Sequence, residues 1–313
     1  MCGVNTDERR VCMDQDFTKY EALGNDYLVI DPSAAWASPT ADTVRMVTDR
    51  RRGVGADGLL FGPLADLGPD DGPPLTPDGG GGVFGLRIFN SDGTPCARSG
   101  NGIRVFARYL MDHGYAGADD FTIRTDAGPT AVRVLDRASG LIRLALGPMS
   151  SSSRDVGATG HDRPMLRETL RVDGENIEIT CLSDGNPHCV VVRENVTPEL
   201  AHALGPRIAG HPAFPGRVNV EFVQVRDHAT VRAEIWERGA GYTLASGSGA
   251  CAAARAAQLL GLTGEKVTVE MPGGSLEVET ARSGEVSVTG TAAQVATGRW
   301  APDFRARLTG RRP

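Results

Sequence analysis

Ser99-Gly100-Asn101-Gly102 and Ser246-Gly247-Ser248-Gly249 are one motif written twice, 147 residues apart. Each copy follows a loop and leads into an apolar helical pattern, and each is preceded at the same offset by a strand-like run. Ile88-Phe89-Asn90-Ser91 in the first half matches Ile235-Trp236-Glu237-Arg238 in the second. A further echo lies upstream: Gly24-Asn25 leads to Val29-Ile30 as Gly185-Asn186 leads to Val190-Val191, now 161 residues apart. The offsets differ by 14 residues, and the first half holds a matching surplus from Gly68 to Gly82, mostly Gly, Pro and Asp. Without that loop the halves are nearly collinear. The pattern predicts a duplicated domain with one reactive element per copy, Ser99 and Ser246 facing each other across a shared cleft. Such pseudo-symmetry suits carrying a proton from one face of a carbon to the other.

Composition narrows the class. The 313 residues suit two domains of about 140–150 residues, each large enough for its own core. Apolar content of 40% and charged content of 23% are ordinary for a soluble enzyme. A net charge of −6 without a basic stripe argues against nucleic acid as a partner. Arg305, Arg307, Arg311 and Arg312 read as a solvated basic end. No apolar run approaches the roughly 20 residues needed to span a bilayer, and the first 16 residues lack a secretory pattern, so a cytoplasmic protein without membrane contact is expected. The six cysteines and six histidines are scattered, which predicts reduced thiols and no zinc site. Only Lys19 and Lys266 are lysines, and neither has a phosphate-binding Gly loop beside it. A pyridoxal-phosphate Schiff base is therefore disfavoured, and any amino-acid chemistry should run without a cofactor.

Periodicity supplies the elements. Phe17 to Ile30 reads as strand, turn at Gly24-Asn25-Asp26, and strand. Thr40 should cap a helix reaching Arg52, with Asp42 and the terminal arginines placed as the helix dipole prefers. Ile103, Phe106, Ala107, Leu110 and Met111 form the stripe of a core-facing helix. Strands follow at 121–126, 130–136 and 141–147. A polar, small-residue stretch from Ser150 to about Thr159 reads as a linker, giving domains at 17–148 and 160–298. The second half then repeats the plan, with a hairpin at Asp173-Gly174, a helix from Thr197, and an Ala/Leu-rich helix from Ala250 to Leu260 that is apolar on every face.

Each serine-glycine motif taken alone is an ordinary N-cap, since serine caps well and glycine permits the tight turn. The duplication favours a second role, holding an anion such as a carboxylate at both helix N-termini. Gly53-Val54-Gly55-Ala56-Asp57-Gly58 satisfies a dinucleotide-binding pattern in the wrong context, because it follows a helix and leads into a strand. Neither serine sits in a nucleophile elbow. Asn90, Asn186, Asn219, Glu237 and Arg238 form a set of amides and charges near strand ends, with Asn90 aligned to Glu237 across the repeat.

Taken together, Phe17–Tyr20, Gly24–Tyr27, Arg51–Gly58, Arg87–Gly93, Ser99–Gly102, Gly185–His188, Arg217–Val220 and Glu237–Gly239 resemble the diaminopimelate epimerase family. The likeness runs from about residue 17 to about residue 295 in long, ordered motifs. It implies an α/β fold of the α+β type, with two pseudo-symmetric domains, each a curled, mostly antiparallel sheet around a central helix. It implies cofactor-free epimerisation of LL- to meso-diaminopimelate or a close analogue, within lysine biosynthesis, and leaves room for a homodimer. The partner is a small amino acid, and no metal is implied. By motif, Gly100, Asn101, Gly247 and Ser248 would hold the reacting carboxylate through backbone donors. Asn25, Asn90, Asn186, Asn219, Glu237 and Arg238 would bind the substrate, and His188 and Glu237 would support the chemistry at Ser99 and Ser246.

The departure from the family pattern is at those two serines, where the family has cysteines acting as base and acid. Tyr242 also replaces a motif glutamate. A thiol ionises near 8.5 and an unassisted alcohol near 16, so the exchange removes on the order of 10 kcal/mol of basicity. Three readings follow: an epimerase silenced at both thiols, a diverged relative carrying out elimination or isomerisation on an amino-acid-like substrate, and an inactive amino-acid binder.

The Gly68–Gly82 surplus is expected to be dispensable, because closing a longer surface loop costs only about 0.6 kcal/mol per doubling of its length. Its deletion should leave the melting temperature nearly unchanged; a drop of several degrees would mean that it packs on the folded body.

Overall fold

The computed structural model describes residues 16–34, 39–65 and 82–310. The Gly68–Gly82 surplus (save Gly82), Cys2, Cys12, Arg311 and Arg312 lie outside the described residues. The chain divides into two compact units: residues up to Arg143 together with Thr291 onward, and Leu144–Gly290. Each is a curled, mostly antiparallel sheet around one central helix.

In unit 1, β1 (Phe17–Ala22) and β2 (Asn25–Ile30) form a hairpin. Leu23 and Gly24 make its turn, both left-handed at φ 57° and 81°, as a type I′ turn requires. The turn therefore falls one residue earlier than the sequence suggests, and Asn25 and Asp26 stand in the ladder opposite Ala22 and Glu21. Helix α1 (Ala41–Thr48) starts at the expected Thr40 cap but stops short of Arg52. The Asp49 carboxylate accepts from the N–H groups of Arg51 and Arg52 and turns the chain out of the helix. The apparent dinucleotide pattern is thus a helix-to-strand turn. A side chain at Gly53 would fall 2.3 Å from the Met46 carbonyl, so this turn is packed solid.

The chain continues through β3 (Gly58–Leu64), parallel to β2, and β4 (Val83–Asn90), antiparallel to β3. After β5 (Pro95–Cys96) comes the central helix α2 (Gly100–Asp112), which packs on β1, β2 and β3. Ile103, Phe106, Ala107 and Leu110 are buried as predicted, while Met111 sits at the half-buried edge. β6 (Asp120–Thr125) pairs parallel with β4, and β7 (Gly128–Asp136) antiparallel with β6. The chain passes from one unit to the other within β8 (Leu141–Pro148).

Unit 2 repeats this topology. The expected linker is instead structured: it contains a short helix α3 (Ser153–Val156) capped by Ser152, with Ser153 buried and Ser150 bridged to Ser183. Small polar residues look like a linker in sequence, yet here their hydroxyls serve as caps. β9 (Glu168–Val172) and β10 (Glu175–Ser183) form the predicted hairpin at Asp173-Gly174. β11 (Pro187–Val192), α4 (Pro198–Ala209), β12 (Asn219–Asp227), β13 (Thr230–Glu237) and β14 (Gly241–Thr243) follow. The central helix α5 (Gly247–Leu259) then leads to β15 (Lys266–Met271), β16 (Gly274–Thr280) and β17 (Glu285–Thr291). The registers carry both sequence offsets: Tyr27 stands opposite Gly58 as His188 stands opposite Asn219, and β4 and α2 recur 147 residues later as β13 and α5.

The C-terminal segment from Thr291 onward packs with unit 1. β18 (Ala293–Gly298) pairs with β1 in unit 1, the place that β9 takes beside β10 in unit 2. Arg305 and Arg307, on helix α6 (Pro302–Leu308), are exposed as expected, though the Arg305 guanidinium also pairs with Asp16 at 2.5 Å, and Trp300 and Leu308 join the core beside Leu28 and Leu59.

Asp26 ties the hairpin to the 49–57 turn. It pairs with Lys19 at 2.8 Å and Arg50 at 2.6 Å, while Lys19 also donates to the Gly55 carbonyl. Burial opposes its ionisation, but hydrogen bonds from Arg50 and Lys19 prevail and hold the carboxyl at about 2. A depressed folded value means stability that is present above the ordinary value of 3.8 and lost as pH falls toward about 2. Asp26→Asn should destabilise the protein by roughly 1–2 kcal/mol at neutral pH, allowing for the screening of Arg50 by solvent. The difference should vanish below about pH 2, as read by denaturant unfolding across pH.

Candidate active site: two serine-capped helix ends

In unit 1, Ser99 leaves the chain extended at φ −140° and ψ 118°, and its Oγ accepts from the Gly102 N–H at 3.0 Å. The cap uses the third amide of α2, so the first-turn N–H groups of Gly100 and Asn101 have no acceptor within the helix. The Tyr27 hydroxyl lies 2.9 Å from Ser99 Oγ. Tyr27 reaches this point because Gly58, its register partner, has no side chain: a Cβ there would come within 2.8 Å of the tyrosine ring. Asn25 donates to Asp57 at 2.9 Å and accepts from Asn101, whose own carbonyl oxygen accepts from the fully buried Arg104. This chain of bonds fixes two of the predicted binding residues at the mouth of α2. Asn90 stands apart from it, exposed at the end of β4 with its amide on Thr94.

In unit 2, Ser246 repeats the cap, accepting from Gly249 N–H at 3.3 Å and leaving the amides of Gly247 and Ser248 to other acceptors. Burial raises the Glu237 carboxyl above its ordinary value, against the opposing influence of Ser246 and His188. His188 Nδ1 meets Glu221 Oε1 at 2.7 Å with both side chains fully enclosed. Burial alone would pull the imidazole down, but the charge and hydrogen bond of Glu221 carry it above its ordinary value. Burial likewise raises Glu221. Both groups therefore hold a proton more tightly than they would in water. Among the described residues, His188 Nε2 and Glu221 Oε2 have no hydrogen-bond partner, a costly state for buried polar atoms.

The remaining predicted residues gather around this pair. Asn219, in register with His188, donates to the Pro187 carbonyl at 3.1 Å and accepts from the Arg238 N–H at 2.9 Å. It therefore sets the backbone that carries Arg238, whose guanidinium makes, among the described residues, a single long contact to the Gly216 carbonyl. Asn186 sits in the turn before His188, its N–H held by Asp184. Tyr242, where the family pattern has glutamate, donates to the buried Glu234 carboxylate at 2.7 Å. Burial and that neighbour push its phenol up to about 12, so it serves the β13–β14 corner rather than the helix mouth. Among the described residues, no cluster of three or more His, Cys, Asp or Glu is arranged to hold a metal ion.

Two residues escaped the sequence reading, and both were within reach of its own offset. Adding 161 to Tyr27 gives His188, and adding it to Leu60 gives Glu221. Leu60 lies against Gly102 in unit 1 as Glu221 lies against Gly249 in unit 2. The same station is thus apolar in one copy and a buried carboxylate in the other.

Comparison with known proteins bears on this arrangement. The family model for diaminopimelate epimerase matches residues 17–151 and 180–295. The chain is 40% identical over 282 residues to a protein of Nostoc sp. named diaminopimelate epimerase 2, covering 90% of this chain and 94% of that protein. A diaminopimelate epimerase of Stutzerimonas stutzeri is also 40% identical, over 283 residues, with 90% and 97% covered. Among solved structures, a probable proline racemase from Agrobacterium radiobacter shares the fold at a TM-score of 0.64 and 15% identity, over 94% of this chain and 97% of that one.

Glu221→Gln should remove the charge that raises His188 and leave burial to pull it down, so the imidazole should lose its proton at lower pH than in the parent, as followed by nitrogen-15 NMR. A raised folded value contributes stability that is complete below the ordinary 6.5 and lost as pH rises through the folded value. The variant should therefore be destabilised by roughly 1–3 kcal/mol at acid pH, with the difference shrinking at alkaline pH.

Proposed function

The chain belongs to the diaminopimelate epimerase family, and on that premise we propose that it inverts the α-carbon of diaminopimelate, LL to meso, by cofactor-free proton transfer. The observation that carries this reading is that each serine at a family cysteine position caps a central helix through its Oγ, with the Tyr27 hydroxyl beside Ser99 and the buried carboxyl of Glu237 close enough to Ser246 to feel it. The unused amides of Gly100 and Asn101, and of Gly247 and Ser248, receive the reacting carboxylate. Negative charge that flows into it when the α-proton leaves is then met by helix N-termini rather than by water. Ser99 and Ser246 divide the work, one removing the proton and the other returning one to the opposite face. Glu237, with His188 behind it, services Ser246.

Arg238 is the residue for the distal end of the substrate, since a planar guanidinium suits a carboxylate and stays charged across the working range. Asn25, Asn90, Asn186 and Asn219 complete the binding set. The same reading gives the protein a place in lysine biosynthesis as a cytoplasmic homodimer.

Deuterium uptake at the α-carbon of diaminopimelate in heavy water tests this. The chain should exchange its substrate's α-proton, more slowly than a Ser99→Cys/Ser246→Cys variant whose thiols are intrinsically stronger bases. Absence of uptake by both proteins would overturn the assignment.

A further inference from the structure

The unit 1 serine has a partner that the family resemblance does not supply. Tyr27 is buried in β2, and its hydroxyl stands 2.9 Å from Ser99 Oγ in a slot opened by Gly58. The 161-residue offset makes it the counterpart of His188, so the same strand station in each unit bears an ionisable side chain, the phenol here standing directly against the helix-capping serine. Resting on the epimerase reading, we propose that Tyr27 and Ser99 form a proton relay, in which the phenol holds the charge that the serine alcohol is too weak an acid to hold.

The chemistry follows from ordinary acidities. A free alcohol loses its proton near 16 and a phenol near 10, so one proton removed from such a pair leaves a phenolate rather than an alkoxide. The ionised pair is favoured by about 10⁶-fold over a lone alkoxide. With Tyr27 ionised, Ser99 Oγ takes the substrate α-proton as its own hydroxyl proton passes to the phenolate oxygen. The electron pair of the broken C–H bond moves into the adjoining carboxylate, and Tyr27 ends as a neutral phenol. In the opposite direction Ser99 gives its proton to the carbanion and regains one from Tyr27, so proton and charge balance in both. The Gly102 N–H, held by Ser99 Oγ at 3.0 Å, keeps the oxygen in place throughout and steadies negative charge as it passes. A cysteine at position 99 would need no such partner, because a thiol ionises near 8.5 unaided.

Because Tyr27 acts through Ser99 and not on the substrate itself, its signature is a pH profile and a dependence on what occupies position 99. Tyr27→Phe removes one oxygen and keeps the ring that fills the slot. The test is α-proton exchange of diaminopimelate against pH for the parent, Tyr27→Phe, Ser99→Cys and Ser99→Cys/Tyr27→Phe, with ligand affinity and melting temperature measured beside it. The parent rate should climb with pH as a phenol ionises. Tyr27→Phe should lose about 10²-fold or more in rate, the lower end for general acid–base catalysis, together with that alkaline limb, while affinity and melting temperature hold. In the Ser99→Cys background the same change should cost less than about threefold, since the loss is then uncoupled from the phenol. Equal losses in both backgrounds, or an unchanged pH profile in Tyr27→Phe, would make Tyr27 a packing residue and overturn the relay. If the parent is silent while Ser99→Cys/Ser246→Cys exchanges, the relay falls and the epimerase reading stands. If both are silent, both fall.

Discussion

A helix enclosed by its own sheet meets a polar ligand only through its end. That constraint governs both units. Along α2 and α5 most side chains are fully buried, and α5 is alanine at six of the thirteen positions from Gly247 to Leu259 so that strands approach it from several sides. The four leading N–H groups of such a helix need acceptors, and water reaches them only at the mouth. A capping hydroxyl settles one of them. The amides left over are free donors at the positive end of the helix dipole, the setting in which helix N-termini favour negative charge.

On this shared frame the two copies have diverged in chemistry while keeping their backbone. At the same strand station stands Tyr27 in one unit and His188 in the other, opposite Gly58 and Asn219 respectively. The glycine leaves room for a ring, and the asparagine anchors the strand that carries Arg238. One step further in, Leu60 is replaced by Glu221, which buries a carboxyl against the His188 ring nitrogen at 2.7 Å. A lone buried carboxylate costs several kcal/mol, so Glu221 is tolerable only with the imidazole beside it. At the strand end, Asn90 becomes Glu237. Unit 2 thus collects the ionisable groups, while unit 1 is held by the neutral amides of Asn25 and Asn101, with Asp26 and Asp57 clamped by Arg50.

Replacing a thiol by a hydroxyl separates two duties that one residue performs in this position. As a cap, serine is among the best choices, and both hydroxyls are used that way here. As a base it falls short of cysteine by many orders of magnitude. The fold therefore gains nothing from the thiol, and whatever proton transfer occurs must draw on the neighbours of each serine. Those neighbours are a phenol in unit 1 and a carboxyl backed by a histidine–glutamate pair in unit 2.

The sequence by itself determined the duplication, the two central helices, their serine caps and most strands, because these depend on local periodicity and on the spacing of Gly, Ser and Asn. It also separated the Gly53–Gly58 turn from a nucleotide loop by its order of elements alone. What it misplaced or left open were features decided by distant partners. The Ser150–Thr159 stretch is folded because Ser150 and Ser152 find bridging partners at Ser183 and Pro164. The last strand returns to β1, and Arg305 to Asp16, across most of the chain length. The helix at Ala41 ends early because the Asp49 side chain intercepts the next amides. Only the tertiary structure could decide that Tyr27 touches Ser99 or that Glu221 touches His188, since these pairs are 72 and 33 residues apart. Strand register brings them together, and a hydrogen bond closes over less than 3 Å, a distance that no spacing along the chain encodes.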